Sequence, residues 1–229
     1  MTEKTGRKPE VALKKFLRNK KIIIVGPAGY LQSKGKGRWI DSFDVVVRIN
    51  HAIPVKYPDD YGSRTDVLYH ILSHRSRIGK GHKQLVERSE IEMWKKHGVK
   101  WLVSRHHSKS NRVAKMAPVI GDLIDWVTMR EMYSDRIKRM VKKKSPNTGI
   151  MAIAHLIAMP IESLYVVGFD FYQSGVYEGY GDVREGEEAQ MVNSRWHDNQ
   201  AQIEFLKEIY KSTNKLFPDD VLEAILCRR

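Results

Sequence analysis

Small and polar residues follow three stretches of β-branched residues, at positions that a parallel sheet would bring to one edge. Gly26 and Gly29 come after KIIIV, Asn50 ends the run DVVVRIN, and Gly168 and Phe169 end the run SLYVVGF. Glycines let backbone N–H groups approach a phosphate or ribose, and an asparagine side chain offers both a donor and an acceptor. Each signal taken singly also fits an ordinary turn, so only the set as a whole indicates a nucleotide site.

A second candidate anion site lies before the apolar stretch TGIMAIAHLIAM, residues 148–159, which is typical of a buried helix. Asn147 or Thr148 can cap that helix. The free N–H groups of its first turn, including that of Gly149, attract an anion such as a phosphate. Capping and phosphate binding are compatible, so the sequence predicts both.

A polar segment rich in glycine and tyrosine, residues 171–195, follows the last strand-like run. It contains Tyr172 and Tyr177, and His197 stands just after it, before the amphipathic stretch 198–210. Segments of this kind tend to form active-site lids, although an ordinary surface loop has the same composition. We therefore predict a lid-like loop over 171–195.

The sequence contains no pattern that is typical of a metal site. None of the nine histidines has the spacing HExxH, and there is no D-x-D pair to hold a divalent ion on a diphosphate. Cys227 is the single cysteine, so no intrachain disulfide is expected. No residue pattern in the sequence therefore indicates a bound metal ion or cofactor.

Strand-like and helix-like stretches alternate along the chain, which predicts an α/β fold. We expect a single Rossmann-like, mostly parallel sheet with helices on both faces and ligands bound beyond the carboxyl ends of the strands. The predicted strands are 21–26, 44–50, 65–72, 100–105 and 163–170, and the predicted helices are 81–97, 122–143, 148–159 and 198–210. Residues 1–19 form a basic arm or helix, and residues 20–229 form one domain, with the lid-like loop as part of it.

The formal net charge of +13 favours an anionic partner, because 40 lysines and arginines face 27 acidic residues. Nucleic acid, a nucleotide-sugar, an acidic glycan and an anionic membrane surface all fit that charge. The run RIKRMVKKK, residues 136–144, is typical of a solvated helix face, and no motif for specific nucleic-acid binding is present. No apolar run is long enough for a signal peptide or a membrane span, so a cytoplasmic protein is expected, with peripheral contact to an anionic membrane as an option.

Taken together, two segments resemble the sialyltransferases. IVGPAGYLQSKGKGRWIDSFDVVVRINHAIP, followed by YGSRTDVLYH, is similar to the large motif of glycosyltransferase family 29. SPNTGIMAIAHLIAMPIESLYVVGFDFYQSG is similar to the small motif of that family, and its GxDFYQxG run resembles the bacterial sialyltransferases of family 42 even more. Two positions depart from family 29: Pro27 and Ala28 replace Asn-Ser, and Gln202 stands where a glutamate is usual.

The resemblance implies a variant of the GT-A fold and an inverting, metal-independent transfer of sialic acid from CMP-sialic acid to a hydroxyl of a glycan or glycolipid. His197 would be the general base, since a neutral imidazole is available near neutral pH. The phosphate would be stabilised by the start of the 148–159 helix with Tyr172 and Tyr177, and the nucleotide would be bound by Asn50 and His70. CMP-Kdo or another CMP-ulosonic acid is the alternative donor. A basic nucleic-acid-binding protein or an inactive nucleotide-binding protein is the alternative of another class.

Overall fold

The protein is described from a computed structural model that covers residues 8–73, 85–130, 146–180 and 197–228, with residues 135, 137 and 139. Its helices are α1 Glu10–Leu17, α2 Gly37–Asp41, α3 Pro58–Tyr61, α4 Arg88–Lys96, α5 Asn111–Ile120, α6 Thr148–Ile157, α7 Asn199–Ser212 and α8 Asp220–Cys227. Its strands are β1 Lys21–Val25, β2 Val45–Ile49, β3 Val67–His70, β4 Trp101–Ser104, β5 Asp125–Thr128, β6 Ser163–Val167 and β7 Leu216–Pro218.

The seven strands form one sheet in the order β5-β4-β3-β2-β1-β6-β7, and every pairing is parallel. The chain runs outward in one direction from β1 to β5 and then returns to place β6 on the other side of β1. The order of the strands therefore reverses between β1 and β6, and a cleft opens at such a switch point beyond the carboxyl ends of the strands. The predicted α/β architecture is confirmed.

Both faces of the sheet are covered, because neighbouring residues of a strand point to opposite sides. Ile22 and Ile24 of β1 belong to a core that includes residues of α1, α6, α7 and α8. Ile23 of β1 belongs to a second core, closed by residues of α2 and α3. Leu13 and Leu17 of α1 are fully buried in the first core, so α1 packs into the domain.

Two predicted helices differ from the structure. The helix predicted over 122–143 is wrong at its start, where Asp125–Thr128 form strand β5 with its last three residues buried. The aromatic and β-branched residues Trp126, Val127 and Thr128 favour a strand, and their parallel pairing with β4 stabilises the strand over a helix. Residues 131–134 and 140–145 lie outside the described residues. The helix predicted over 81–97 begins only at Arg88, and residues 81–84 also lie outside the described residues.

Five further elements were absent from the sequence-based expectation: α2, α3, α5, β7 and α8. The short strand β7 extends the sheet beyond β6, and α8 packs against α7. None of the helices in the described ranges is both long and apolar enough to cross a membrane.

Candidate functional site

A cleft of about 320 Å³ opens at the switch point between β1 and β6. That volume lies in the range of small-molecule sites. Its lining comes from the segments that follow five of the strands, from the start of α6 and from the residue before α7. The lining residues are Pro27, Ala28, Ile49, Asn50, His51, Ile71, Arg105, Asn147, Thr148, Gly149, Ile150, Gly168, Phe169, Asp170, Phe171, Tyr172, Gly175, Val176, Tyr180 and His197.

Close backbone approach explains the two glycines that follow β1. A Cβ atom at Gly26 would lie 2.1 Å from the carbonyl oxygen of Gly168, and one at Gly29 would lie 2.7 Å from that of Ser174. Gly168 lines the cleft, whereas Gly26 and Gly29 do not. These two glycines thus let the segment after β1 pack on the segment after β6, and their predicted contact with a nucleotide gains no geometric support.

The end of β2 reaches the cleft through Asn50, which has a positive φ of 47°. Its backbone N–H donates to the Tyr69 carbonyl at 2.8 Å, and its Oδ1 accepts from the N–H of Ile71 at 3.3 Å. These bonds fix the residue at the cleft wall, where the sequence predicted it.

His70 does not line the cleft, which differs from its predicted role in donor binding. The side chain is fully buried, and its Nδ1 accepts from the N–H of Leu72 at 2.9 Å. Its ring packs against Trp94 at 4.7 Å and against His51 at 5.2 Å between centroids. His51 lies in the lining instead, and the sequence analysis did not select it.

The first turn of α6 faces the cleft as predicted. Asn147 is the N-cap, and its Oδ1 accepts from the N–H of Ile150 at 2.8 Å. The first N–H groups of a helix have no partner within the helix, so those of Thr148 and Gly149 carry a partial positive charge toward the cleft. A Cβ at Gly149 would lie 2.3 Å from the ring of Phe169, so this close packing of α6 on the end of β6 requires glycine.

Arg105 follows β4 and places a positive charge beside that helix start, which the sequence analysis missed. Its Nη1 donates to the Thr148 Oγ1 at 3.4 Å. Burial, together with the nearby Arg112, lowers the pKa of Arg105 to about 10, which leaves the guanidinium charged at neutral pH. The missed signal was its position directly after a strand, the rule that selected Asn50. The cleft thus combines a helix N-terminus and an arginine, a pair suited to binding a phosphate or carboxylate.

The turn after β6 contains two consecutive left-handed residues, Phe171 with φ 56° and Tyr172 with φ 67°. Such conformations cost on the order of 1–3 kcal/mol each and cluster at functional sites. Asp170 holds this turn, because its Oδ2 accepts from the N–H of Ser174 at 2.6 Å. The turn presents Tyr172 to the cleft, where the sequence predicted it.

Tyr177 is buried beneath the cleft and does not line it. Its ring packs against Tyr61 at 4.5 Å, and burial raises its pKa to about 12. Tyr180 lines the cleft instead and donates its hydroxyl to the Ile49 carbonyl at 3.2 Å. Of the predicted lid-like loop 171–195, residues 171–180 are described, and residues 181–195 lie outside the described residues.

His197 lines the cleft and is half-buried. The N-cap of α7 is Asp198, whose Oδ1 accepts from the N–H of Ala201 at 3.0 Å. The helix is therefore capped by its neighbour, which leaves the His197 imidazole at the cleft rather than in the cap. His51 is the other histidine among the lining residues.

His106 stands behind the cleft wall. Its pKa is lowered to about 4 by burial and by the charges of Arg105 and Arg112. Its Nε2 lies 3.1 Å from the Ile71 carbonyl. Since its pKa is so low, it is a poor candidate for a base near neutral pH. In the part of the chain that the structure describes, no three His, Cys, Asp or Glu side chains form a group that could hold a metal ion.

Several residues of the large motif are buried for structural reasons. Arg48 of β2 is 2% exposed, and its Nη2 donates to the carbonyls of Tyr61 and Gly62 at 2.7 and 2.8 Å. Asp66 accepts from the N–H of Val46 at 2.9 Å and forms an ion pair with Arg64 at 3.0 Å. These contacts lie away from the cleft and hold the connection between β2 and β3.

The fold and the cleft define a Rossmann-like α/β protein with a candidate ligand site at its switch point. The sequence model of the family described as glycosyltransferase family 29 (sialyltransferase) matches residues 4–214, and the chain belongs to this family. The finer resemblance to family 42 stays a prediction.

A relative from Homo sapiens, the CMP-N-acetylneuraminate-beta-1,4-galactoside alpha-2,3-sialyltransferase, is 50% identical over 50 residues. That stretch is 21% of this chain and 13% of the relative. A mammalian sialyltransferase solved in complex with Gal-beta-1-3GalNAc-ortho-nitrophenol is 18% identical with a TM-score of 0.55, over 90% of this chain and 71% of that one. The monofunctional alpha-2,3-sialyltransferase Cst-I from Campylobacter jejuni is 17% identical with a TM-score of 0.57, over 90% of this chain and 78% of that one. Each of these two structures is similar to this chain in fold.

Proposed function

We propose that the protein transfers sialic acid from CMP-sialic acid to a hydroxyl group of a glycan, with inversion at the anomeric carbon. One observation carries the proposal: the start of α6, the Arg105 guanidinium and the His197 imidazole line one cleft. The first two complement the negative charge of a donor, and the third can accept a proton. Membership of family 29 and the donor named in the human relative support the choice of sugar.

In the proposed reaction the acceptor hydroxyl attacks the anomeric carbon while His197 takes its proton. The new glycosidic bond forms as the bond between that carbon and the phosphate oxygen breaks. The electron pair of the broken bond leaves with CMP, and the proton passes from His197 to solvent. A neutral imidazole is a suitable base for this step near neutral pH.

The departing phosphate would be bound by the N–H groups of Thr148 and Gly149, by the Thr148 hydroxyl and by Arg105. Hydrogen-bond donors that already point to the site of developing charge lower the barrier without reorganisation. Tyr172 is the further donor in reach of this region, since it lines the same cleft. Asn50, which follows β2 and lines the cleft, would bind the nucleoside part.

Binding of CMP tests the donor site. We expect CMP at one hundred times its Kd to stabilise the fold by about 2.7 kcal/mol, because it binds the folded chain alone. For a domain of this size that corresponds to a rise in Tm of roughly 5–10 °C. UDP and GDP at the same concentration should give a much smaller rise, which thermal unfolding measures directly. Equal shifts with all nucleotides, or none with CMP, would refute the proposed donor.

Turnover in the presence of chelator tests the proposed independence of metal. We expect EDTA to leave transfer unchanged, because CMP departs without a bridging diphosphate and the positive charge comes from α6 and Arg105. The measurement compares initial rates in EDTA, in buffer alone and after adding back magnesium or manganese. Loss of turnover that either metal restores would contradict this mechanism.

A transfer assay distinguishes the related donors, which CMP binding does not. CMP-Kdo and CMP-sialic acid share the nucleotide, so they are offered side by side with a glycan acceptor such as Gal-beta-1-3GalNAc, which the mammalian structure contains. The proposal expects transfer from CMP-sialic acid. A cytoplasmic location and peripheral contact with an anionic membrane stay predictions.

A further inference from the structure

A buried glutamine joins the two helices that begin at the cleft. Gln202 lies one turn into α7 and has no solvent exposure. Its Oε1 accepts from the backbone N–H of Asn147, the N-cap of α6, at 2.7 Å. Its Nε2 donates to Asn199 Oδ1 at 3.3 Å. Both ends of the amide therefore have partners, as a buried polar side chain requires.

The same network reaches the turn after β6. Asn199, the first residue of α7, donates from Nδ2 to the Phe171 carbonyl at 3.3 Å. Phe171 is one of the two consecutive left-handed residues that present Tyr172 to the cleft. Three separate segments of the cleft wall are thus connected through Gln202 and Asn199: the start of α6, the start of α7 and the turn after β6.

We propose that Gln202 is a positioning residue that fixes His197 relative to the phosphate-binding start of α6, an inference that rests on the proposed function. His197 stands two residues before α7, so the first turn of that helix determines where the imidazole lies. The Gln202–Asn147 bond sets the distance between that turn and Thr148. A base misplaced by about 1 Å can lose a hundredfold in rate, so a bond of this kind affects turnover without touching substrate.

The neutral amide suits this position for an electrostatic reason. A glutamate at residue 202, the usual residue of the family, would still accept from the Asn147 N–H. It could not donate to Asn199 Oδ1, and it would place a negative charge near the helix start that is proposed to bind phosphate. Gln202 holds the same backbone group without that charge.

Two substitutions separate positioning from general packing. Q202M keeps the length and apolar volume of the side chain but removes both hydrogen bonds, whereas Q202E keeps the acceptor for Asn147. Gln200 is the matched control, since it is exposed on the same helix and bonds Glu204 at 2.9 Å. We expect Q202M to lower kcat for transfer by about tenfold to a hundredfold with little change in CMP affinity. Q202E should recover part of that loss through the retained acceptor and stay below the wild type because of its negative charge, and Q200M should behave as wild type.

Amide hydrogen exchange gives a readout that does not depend on activity. The Asn147 N–H should be protected in the wild type and in Q202E but should exchange faster in Q202M. If the wild type transfers no sugar, the proposed function fails, and the exchange result still decides whether Gln202 holds the two helices together. Equal protection of Asn147 in all variants would overturn the positioning role.

Two outcomes of the transfer measurements would also contradict a positioning role for Gln202. Wild-type transfer by a folded Q202M, or a parallel loss of transfer and CMP affinity that Q202E does not recover, would overturn the proposal. Should Q202M fail to fold, N199A tests the same hydrogen-bond network, because Asn199 belongs to it and is only half-buried. We expect N199A to lower transfer severalfold at unchanged CMP affinity, and wild-type transfer by both N199A and Q202E would also overturn it.

Discussion

Replacing His197 with alanine should lower sugar transfer by about a hundredfold to ten-thousandfold, the usual contribution of a general base. CMP affinity should stay nearly unchanged, because in the proposed reaction the imidazole contacts the acceptor hydroxyl while other groups bind the phosphate. Hydrolysis of the donor by the enzyme should fall less than transfer does. Initial rates of transfer, rates of donor hydrolysis and CMP titrations on one preparation measure all three quantities.

His51 provides the control for this experiment, since it is the second histidine in the cleft lining and is also half-buried. His51→Ala should retain most of the transfer activity. Because Asp198 caps α7, His197→Ala should also leave the Tm almost unchanged. If His197→Ala transfers at the wild-type rate while His51→Ala does not, the base is His51 and the assignment by resemblance is wrong.

The predictability of the strands depended on where they lie in the sheet. β1, β2 and β6 are central, so they are buried on both faces and read as largely apolar runs rich in β-branched residues. β5 and β7 are the edge strands. β5 lies inside a stretch that the sequence analysis assigned to a helix, and β7 has only three residues and ends at Pro218. Both become strands through pairing with β4 and β6.

The candidate site was predictable where one local segment carries the signal. Asn147 as N-cap, with Thr148 and Gly149 in the first turn, follows from a polar residue before an apolar helix. Arg105 and His51 come from segments far from that helix in sequence, so only the parallel order of the strands places them beside it. Their position after a strand could be read locally, but their place beside the start of α6 could not.

The motifs also mixed residues of two kinds, which the sequence could not separate. Gly26 belongs to the large motif, yet its function in the structure is to let β1 and β6 approach within contact of their backbones. Arg48 belongs to the same motif and donates to backbone carbonyls in the interior. A motif can thus be specific for a family while only part of it, such as Asn50, faces the ligand site.

The second large effect is expected at Arg105, and it should differ in kind from that at His197. Arg105→Met removes the positive charge beside Thr148, so departure of the phosphate should slow. Loss of one preorganised group at a developing charge typically costs about a hundredfold to a thousandfold in kcat. Because both reactions require that departure, donor hydrolysis and transfer should fall together, and CMP affinity should weaken as well. The transfer rate of Arg105→Lys should lie between those of the wild type and Arg105→Met, since an ammonium keeps the charge but loses the planar geometry of the guanidinium.

The stability of Arg105→Met distinguishes this role from a structural one. Arg105 lies near Arg112, and the repulsion contributes to the lowered pKa of Arg105, so removing one charge relieves the folded state of a like-charge contact. The Tm should therefore stay unchanged or rise while activity falls, the pattern of a residue retained for its ligand rather than for the fold. Arg38→Met, at an exposed arginine of α2, controls for the change in net charge and should retain full activity. Donor hydrolysis at the wild-type rate in Arg105→Met would show that the guanidinium does not stabilise the leaving phosphate.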